Sequence, residues 1–133
     1  MDSTRPTLTS IAAHLYARDL EASIEFFSKK LGFATDFVYG EPPFYAQVRR
    51  DHALLALRSM EEPVFAGDIR EREGLLSASI TLATAAAIQQ LFAEFQGAGV
   101  PFHQPLKTEP WGAQTFIVRD PDGNLILFAG PAN

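Results

Sequence analysis

One pattern is written twice along this chain, and the repeat restricts the possible folds more than any other feature. "TSIAAHLYA" (residues 9–17) reads as a strand, with Ile11, Ala13 and Leu15 on one side. Asp19 then suits a helix N-cap, and Glu21 and Glu25 suit the turns that follow. Ile24, Phe27 and Leu31 give that helix one apolar stripe, which Gly32 ends. Three strands fit residues 33–39, 44–49 and 53–58, broken at "GEPP" and "RDH". A polar connector, "SMEEPVFAGDIREREG" (59–74), reads as a solvated linker without a site. The same order then returns: a strand over 76–84, a helix over 85–96 with Ile88, Leu91 and Phe95 on one face, and strands near 102–108, 113–119 and 124–129.

The expected fold is therefore α+β: two βαβββ modules, about 8–58 and 75–130, within a single domain spanning 1–133. Neither copy can bury its sheet face alone. The two are expected to form a curved mixed sheet with helices outside and a concave cup inside. Edge strands that need covering predict a homodimer, with each cup built either from one chain or from halves of two.

Composition narrows the function. The chain has 133 residues, 47% of them hydrophobic, enough for an ordinary core without staples. Without cysteine there is no disulfide, no thiolate metal site and no cysteine nucleophile. A net charge of −5 argues against a nucleic-acid partner and is compatible with a cationic or neutral ligand. The first apolar stretch is short and lacks a cationic leader. No signal peptide, no membrane and a cytoplasmic location are expected. Gly-x-Ser-x-Gly, P-loop and dinucleotide motifs are missing.

In "RDPDGNLILFAG" (119–130), Pro121 and Gly123 set a tight turn before an apolar strand. Together with "RDLEASIEFFSKKLGF" near the start, "VRDPDGNLILF" resembles the vicinal oxygen chelate superfamily. That group includes glyoxalase I, fosfomycin-resistance transferases, extradiol dioxygenases and bleomycin-resistance proteins. The resemblance runs from Leu8 to Gly130. It implies metal ligands on the first, fourth, fifth and last strands, and the matching positions here are Ala12, Ala56, Ser77 and Leu127. A divalent ion needs about three protein ligands. No metal and no other cofactor are expected, and Leu127 turns a metal corner into an apolar wall.

Strand alternation puts His14 and Tyr16 on the inner face with Ala12. Arg58, Ser77, Ser79, Thr115, Ile117, Leu125 and Leu127 share it, while Ala78, Ile80 and Leu82 face the helix. Phe37 and Phe116 are assigned to the core. Trp111 is a stacking residue, or else a lid or dimer contact. The expected ligand-binding set is His14, Tyr16, Tyr45, Arg58, Ser77, Ser79, Trp111, Thr115 and Leu127, with Glu41 and Glu109 near the mouth. "FFSKKLGFATDFVYGEPPFYAQVRRDHALLALRS" and "PWGAQTFIVRDPDGN" are most similar to the bleomycin-resistance proteins, which lack the metal and sequester a cationic drug in clefts of a homodimer. The expected function is metal-independent binding of a hydrophobic or cationic compound such as a bleomycin-type antibiotic, with no catalytic residue. The alternative is a glyoxalase-like lyase, isomerase or dioxygenase-related enzyme using His14 as base.

Overall fold

Each copy of the repeat folds into its own four-stranded mixed sheet. The computed structural model describes residues 5–62 and 67–132. In the first module β1 (Ala13–Ala17), β2 (Ala34–Tyr39), β3 (Tyr45–Arg50) and β4 (Ala53–Ser59) lie in the order β1-β4-β3-β2. In the second, β5 (Ala78–Thr81), β6 (Phe102–Thr108), β7 (Gln114–Arg119) and β8 (Leu125–Gly130) lie in the order β5-β8-β7-β6. The β1–β4 and β5–β8 pairs are parallel and the rest antiparallel, so the two sheets have one topology.

Helix α1 (Leu20–Glu25) joins β1 to β2, and α3 (Ala85–Gly97) joins β5 to β6. Both start on a side-chain cap: Asp19 Oδ1 accepts from Ala22 N at 3.1 Å, and Thr84 Oγ1 accepts from Ala87 N at 3.0 Å. They end differently. Val100 N donates to Phe95 O at 3.0 Å, the usual closure of a helix. After α1 the chain widens into a π-helical turn, Phe26–Lys30, and the closing bond runs one residue further, from Phe33 N to Phe27 O at 2.9 Å. Gly32 makes that exit at φ +77°, where a Cβ would also come within 2.9 Å of Arg50 Nη1.

The apolar stripes do what their spacing predicts. Phe27 and Leu31 are fully buried against Leu15, Val48, Leu55 and Leu57, and Ile88 and Phe95 against Phe116, Val118, Ile126 and Phe128. These groups belong to one continuous core. Phe116 and Phe128 stack with centroids 5.1 Å apart, and Phe95 meets them edge-on at 5.9 and 5.4 Å.

Polar ties join the modules. Arg50, at the end of β3, donates to both carboxylate oxygens of Glu94 on α3 (2.6 and 3.0 Å) and to Leu31 O (2.8 Å). That pairing raises the Arg50 pKa and lowers that of Glu94. Lys30 Nζ donates to Ala98 O at 2.8 Å. At the other end of β1, Asn124 Nδ2 donates to Tyr16 O at 3.1 Å and Arg18 N to Asp122 Oδ1 at 2.9 Å.

Three expectations need correction. β1 starts at Ala13, and the segment before it is extended into solvent, with Leu8 95% and Ile11 88% exposed. Phe37 is not a core residue: it is 45% exposed, because alternation along β2 turns it away from the helix side, whereas Phe116 is buried. The connector is more than a solvated linker. Residues 63–66 lie outside the described residues, but α2 (Ile69–Arg72) docks on the second module. Arg70 donates to Asn124 Oδ1 (3.1 Å) and Asp122 O (2.6 Å), and Glu71 pairs with Arg119. Gly123 makes room for this contact: at φ +79°, its Cβ position lies 2.8 Å from Arg70 Nη2.

Candidate functional site

Strand alternation divides each sheet into a face packed on the helices and a face turned away from them, and register sets the neighbours on the latter. In the first sheet Tyr16 lies opposite Arg58, Arg58 opposite Tyr45, and Tyr45 opposite Tyr39. The next row is His14, Ala56, Gln47 and Phe37. Directly paired residues of one face have Cβ atoms about 5 Å apart. The rings of Phe37 and Tyr45 are 5.9 Å apart, and Gln47 Nε2 donates to the Tyr45 hydroxyl at 3.0 Å. His14, Phe37, Tyr39 and Arg58 are exposed, and Tyr16, Tyr45 and Gln47 half-buried.

The second sheet presents a different surface. Its rows are Ser79–Leu127–Ile117–Gln104 and Thr81–Ala129–Thr115–Lys107. Gln104 Nε2 donates to Thr115 Oγ1 at 3.0 Å, and Thr115 Oγ1 donates to Glu109 Oε1 at 2.8 Å. Lys107 Nζ lies 3.6 Å from the same Glu109 oxygen. Glu109, expected to attract a cation at the mouth, thus has its charge answered within the chain, with a side chain only 12% exposed. On this face Arg119 pairs with Glu71 and approaches His103 Nδ1 at 3.3 Å.

The predicted residues therefore fall into three places. His14, Tyr16, Tyr45 and Arg58 come together on the first sheet, and Ser79, Thr115 and Leu127 on the second. Ser77 lies just before β5, which covers only Ala78–Thr81 of the strand expected over 76–84, and its hydroxyl donates to Asn124 Oδ1 at 3.4 Å. Trp111 stands in the β6–β7 turn, 75% exposed and without a ring contact among the described residues. Sequence reasoning missed Tyr39, Gln47 and Gln104, and misassigned Phe37. The alternation of Phe37 with Tyr39, and of Tyr45 with Gln47, was the signal that could have found three of them.

Near Asn124 lies the most perturbed carboxyl. Burial pushes Asp120 up to about 6, against the hydrogen bonds it accepts from Asn124 and Asp122. This group supports the β7–β8 turn and faces neither row.

A cleft of about 540 Å³ opens elsewhere, between the free edges of β1 and β5. Ala13, Leu55, Ile80, Leu91, Phe95 and Phe128 line it from the helix side, with Arg50 and His52 beside them. Of the predicted set only Ser79 borders it.

The donor set does not fit a divalent ion. Ala12, Ala56, Ser77 and Leu127 offer a single hydroxyl, and no group of three His, Cys, Asp or Glu side chains clusters among the described residues.

Comparison with known proteins agrees with the topology. No curated protein sequence matches the chain. Among solved structures, a glyoxalase/bleomycin resistance protein/dioxygenase from Alicyclobacillus acidocaldarius is 20% identical and superposes with a TM-score of 0.72 over 94% of this chain and 92% of that one. The bleomycin-binding protein of Streptomyces verticillus, solved with copper(II)-bleomycin, is 24% identical, with a TM-score of 0.68 over 97% and 99%. A lactoylglutathione lyase from Agrobacterium tumefaciens is 19% identical, with a TM-score of 0.66 over 95% and 96%. At such identities these structures share the fold. Residues 7–128 match a whole-family description, and the chain belongs to the Glyoxalase/Bleomycin resistance protein/Dioxygenase superfamily.

Proposed function

We propose that the protein is a metal-independent binding protein that captures a planar organic compound on the aromatic face of its first sheet, as a cytoplasmic homodimer. The carrying observation is the pair of cross-strand rows that puts Tyr16, Tyr45, Tyr39 and Phe37 on one surface with Arg58 and Gln47 between them. Aromatic side chains with a few polar groups suit orienting an organic molecule. Burying about 100 Å² of apolar ligand surface there contributes ~2–3 kcal/mol, supporting modest affinity once association entropy is subtracted. Bleomycin-type antibiotics are among the first compounds to titrate, given the bleomycin-binding structural neighbour.

The dimer rests on what one chain leaves uncovered. β1 and β5 each have a free edge, and Leu8, Ile11, Leu75, Leu76 and Trp111 are exposed. A second copy is the partner that would cover them and close a cup over the aromatic rows.

Calorimetric titration of neutral 2-naphthamide and of bleomycin tests the reading. Saturable binding of at least one, weakened about tenfold by Tyr45→Ala, is expected. Absence of binding, or affinity unchanged in Tyr45→Ala, overturns the proposed site. Sedimentation showing only monomer at micromolar concentration overturns the dimer, and chelator-sensitive turnover of a hemithioacetal overturns metal independence.

A further inference from the structure

The charges on the two faces are not balanced alike. Arg49 is paired with Asp36 at 3.2 Å, Arg119 with Glu71, and Lys107 lies 3.6 Å from Glu109. Arg58 alone among the arginines and lysines of these faces has no ion pair within the described residues, and it is exposed. It stands in the middle of an aromatic row, directly between Tyr16 and Tyr45. On a chain of net charge −5, the centre of this aromatic row carries a positive charge without an ion pair among the described residues.

We propose that this platform selects planar aromatic carboxylates, Arg58 reading the carboxylate while Tyr45 and Phe37 hold the ring. A guanidinium presents two parallel N–H donors that match the two oxygens of a carboxylate, which an ammonium cannot do. The flanking tyrosine hydroxyls add further hydrogen-bonding groups, and the paired Phe37 and Tyr45 rings offer apolar surface beside the charge. A cationic ligand meets the opposite situation: Arg58 repels it, and Glu109 is already engaged by Thr115 and Lys107. The expectation of a cationic drug came with the resemblance to the bleomycin-resistance proteins, and Arg58 on this face speaks against it.

The inference rests on the proposed binding face, and its test separates the two. Three probes of one shape are titrated into the full-length protein: 2-naphthoate, neutral 2-naphthamide and cationic 2-naphthylmethylamine. The expected result is that naphthoate binds about tenfold more tightly than the amide, and the amine most weakly. Arg58→Gln should level naphthoate with the amide by weakening naphthoate far more than the amide, and should leave the thermal midpoint unchanged. Arg58→Lys should recover only part of the preference, and raised salt should reduce it. Equal binding of naphthoate and amide, tighter binding of the amine, or a preference that survives Arg58→Gln each overturns the carboxylate assignment and leaves the binding face standing. If no probe binds, the carboxylate assignment fails, and the binding face fails with it when bleomycin does not bind either.

Discussion

Asp120 and Asn124 clasp the β7–β8 turn from both sides. Asp120 N donates to Asn124 O at 3.0 Å, Asn124 N donates to Asp120 Oδ1 at 2.8 Å, and Asn124 Nδ2 donates to Asp120 Oδ2 at 2.8 Å. The carboxyl that receives these bonds is 3% exposed, and burial raises its pKa from 3.8 to about 6. A carboxyl raised on folding binds its proton more tightly in the native state. Its contribution is therefore fully present below about pH 4 and lost as pH rises through about 6. Urea midpoints measured from pH 4 to 7 for wild type and Asp120→Asn should diverge, wild type losing ~1–3 kcal/mol relative to the variant as pH rises. A difference that stays flat across this window excludes the shifted carboxyl.

Asn124 reaches further than its partner. Its amide also donates to Tyr16 O and accepts from Arg70 and Ser77, so one side chain touches β1, α2 and the residue leading into β5. Asn124→Ala removes this group while leaving several buried or half-buried partners unmatched, and should destabilise by ~2–4 kcal/mol. Chemical denaturation measures it. A loss below about 1 kcal/mol means that the turn holds without this side chain.

Two phenylalanines of opposite placement make a matched pair. Phe95→Ala empties a fully buried site between Phe116 and Phe128 and should cost ~3–5 kcal/mol. Phe37→Ala removes a ring that is 45% exposed and should cost under ~1 kcal/mol. Thermal unfolding of the two variants settles whether Phe37 belongs to the surface or to the core.

Trp111 offers a contrast with Tyr45. It is 75% exposed in a turn, so Trp111→Ala should shift stability by less than ~0.5 kcal/mol. Naphthamide affinity is expected to be unchanged in the same variant. A tenfold weakening would move the binding surface towards the β6–β7 turn.

The repeat was legible because its signal is local. Apolar stripes and caps lie within single helices, and both helices formed where Asp19 and Thr84 could cap them. Alternation likewise put His14, Tyr16, Arg58, Thr115 and Leu127 on the sheet faces turned away from the helices. It could not give the rows, because cross-strand register depends on turns and bulges such as the shift between Thr35 and Phe37. Glu109 was misread for a related reason. Its sequence position gives its charge, but only the folded chain brings Thr115 and Lys107 to it. The π-helical turn after α1 and the docking of α2 arise from tertiary contacts with no short-range pattern.

The ties at the two ends of β1 have a mechanical consequence. Arg50 holds Glu94 near the strand's start, and Tyr16 and Arg18 are held by Asn124 and Asp122 at its finish. Between these ties runs the one core that the two modules share. β1 is therefore a seam stitched at both ends, and cutting the stitch at one end, as in Arg50→Ala, leaves the modules still fastened at the other.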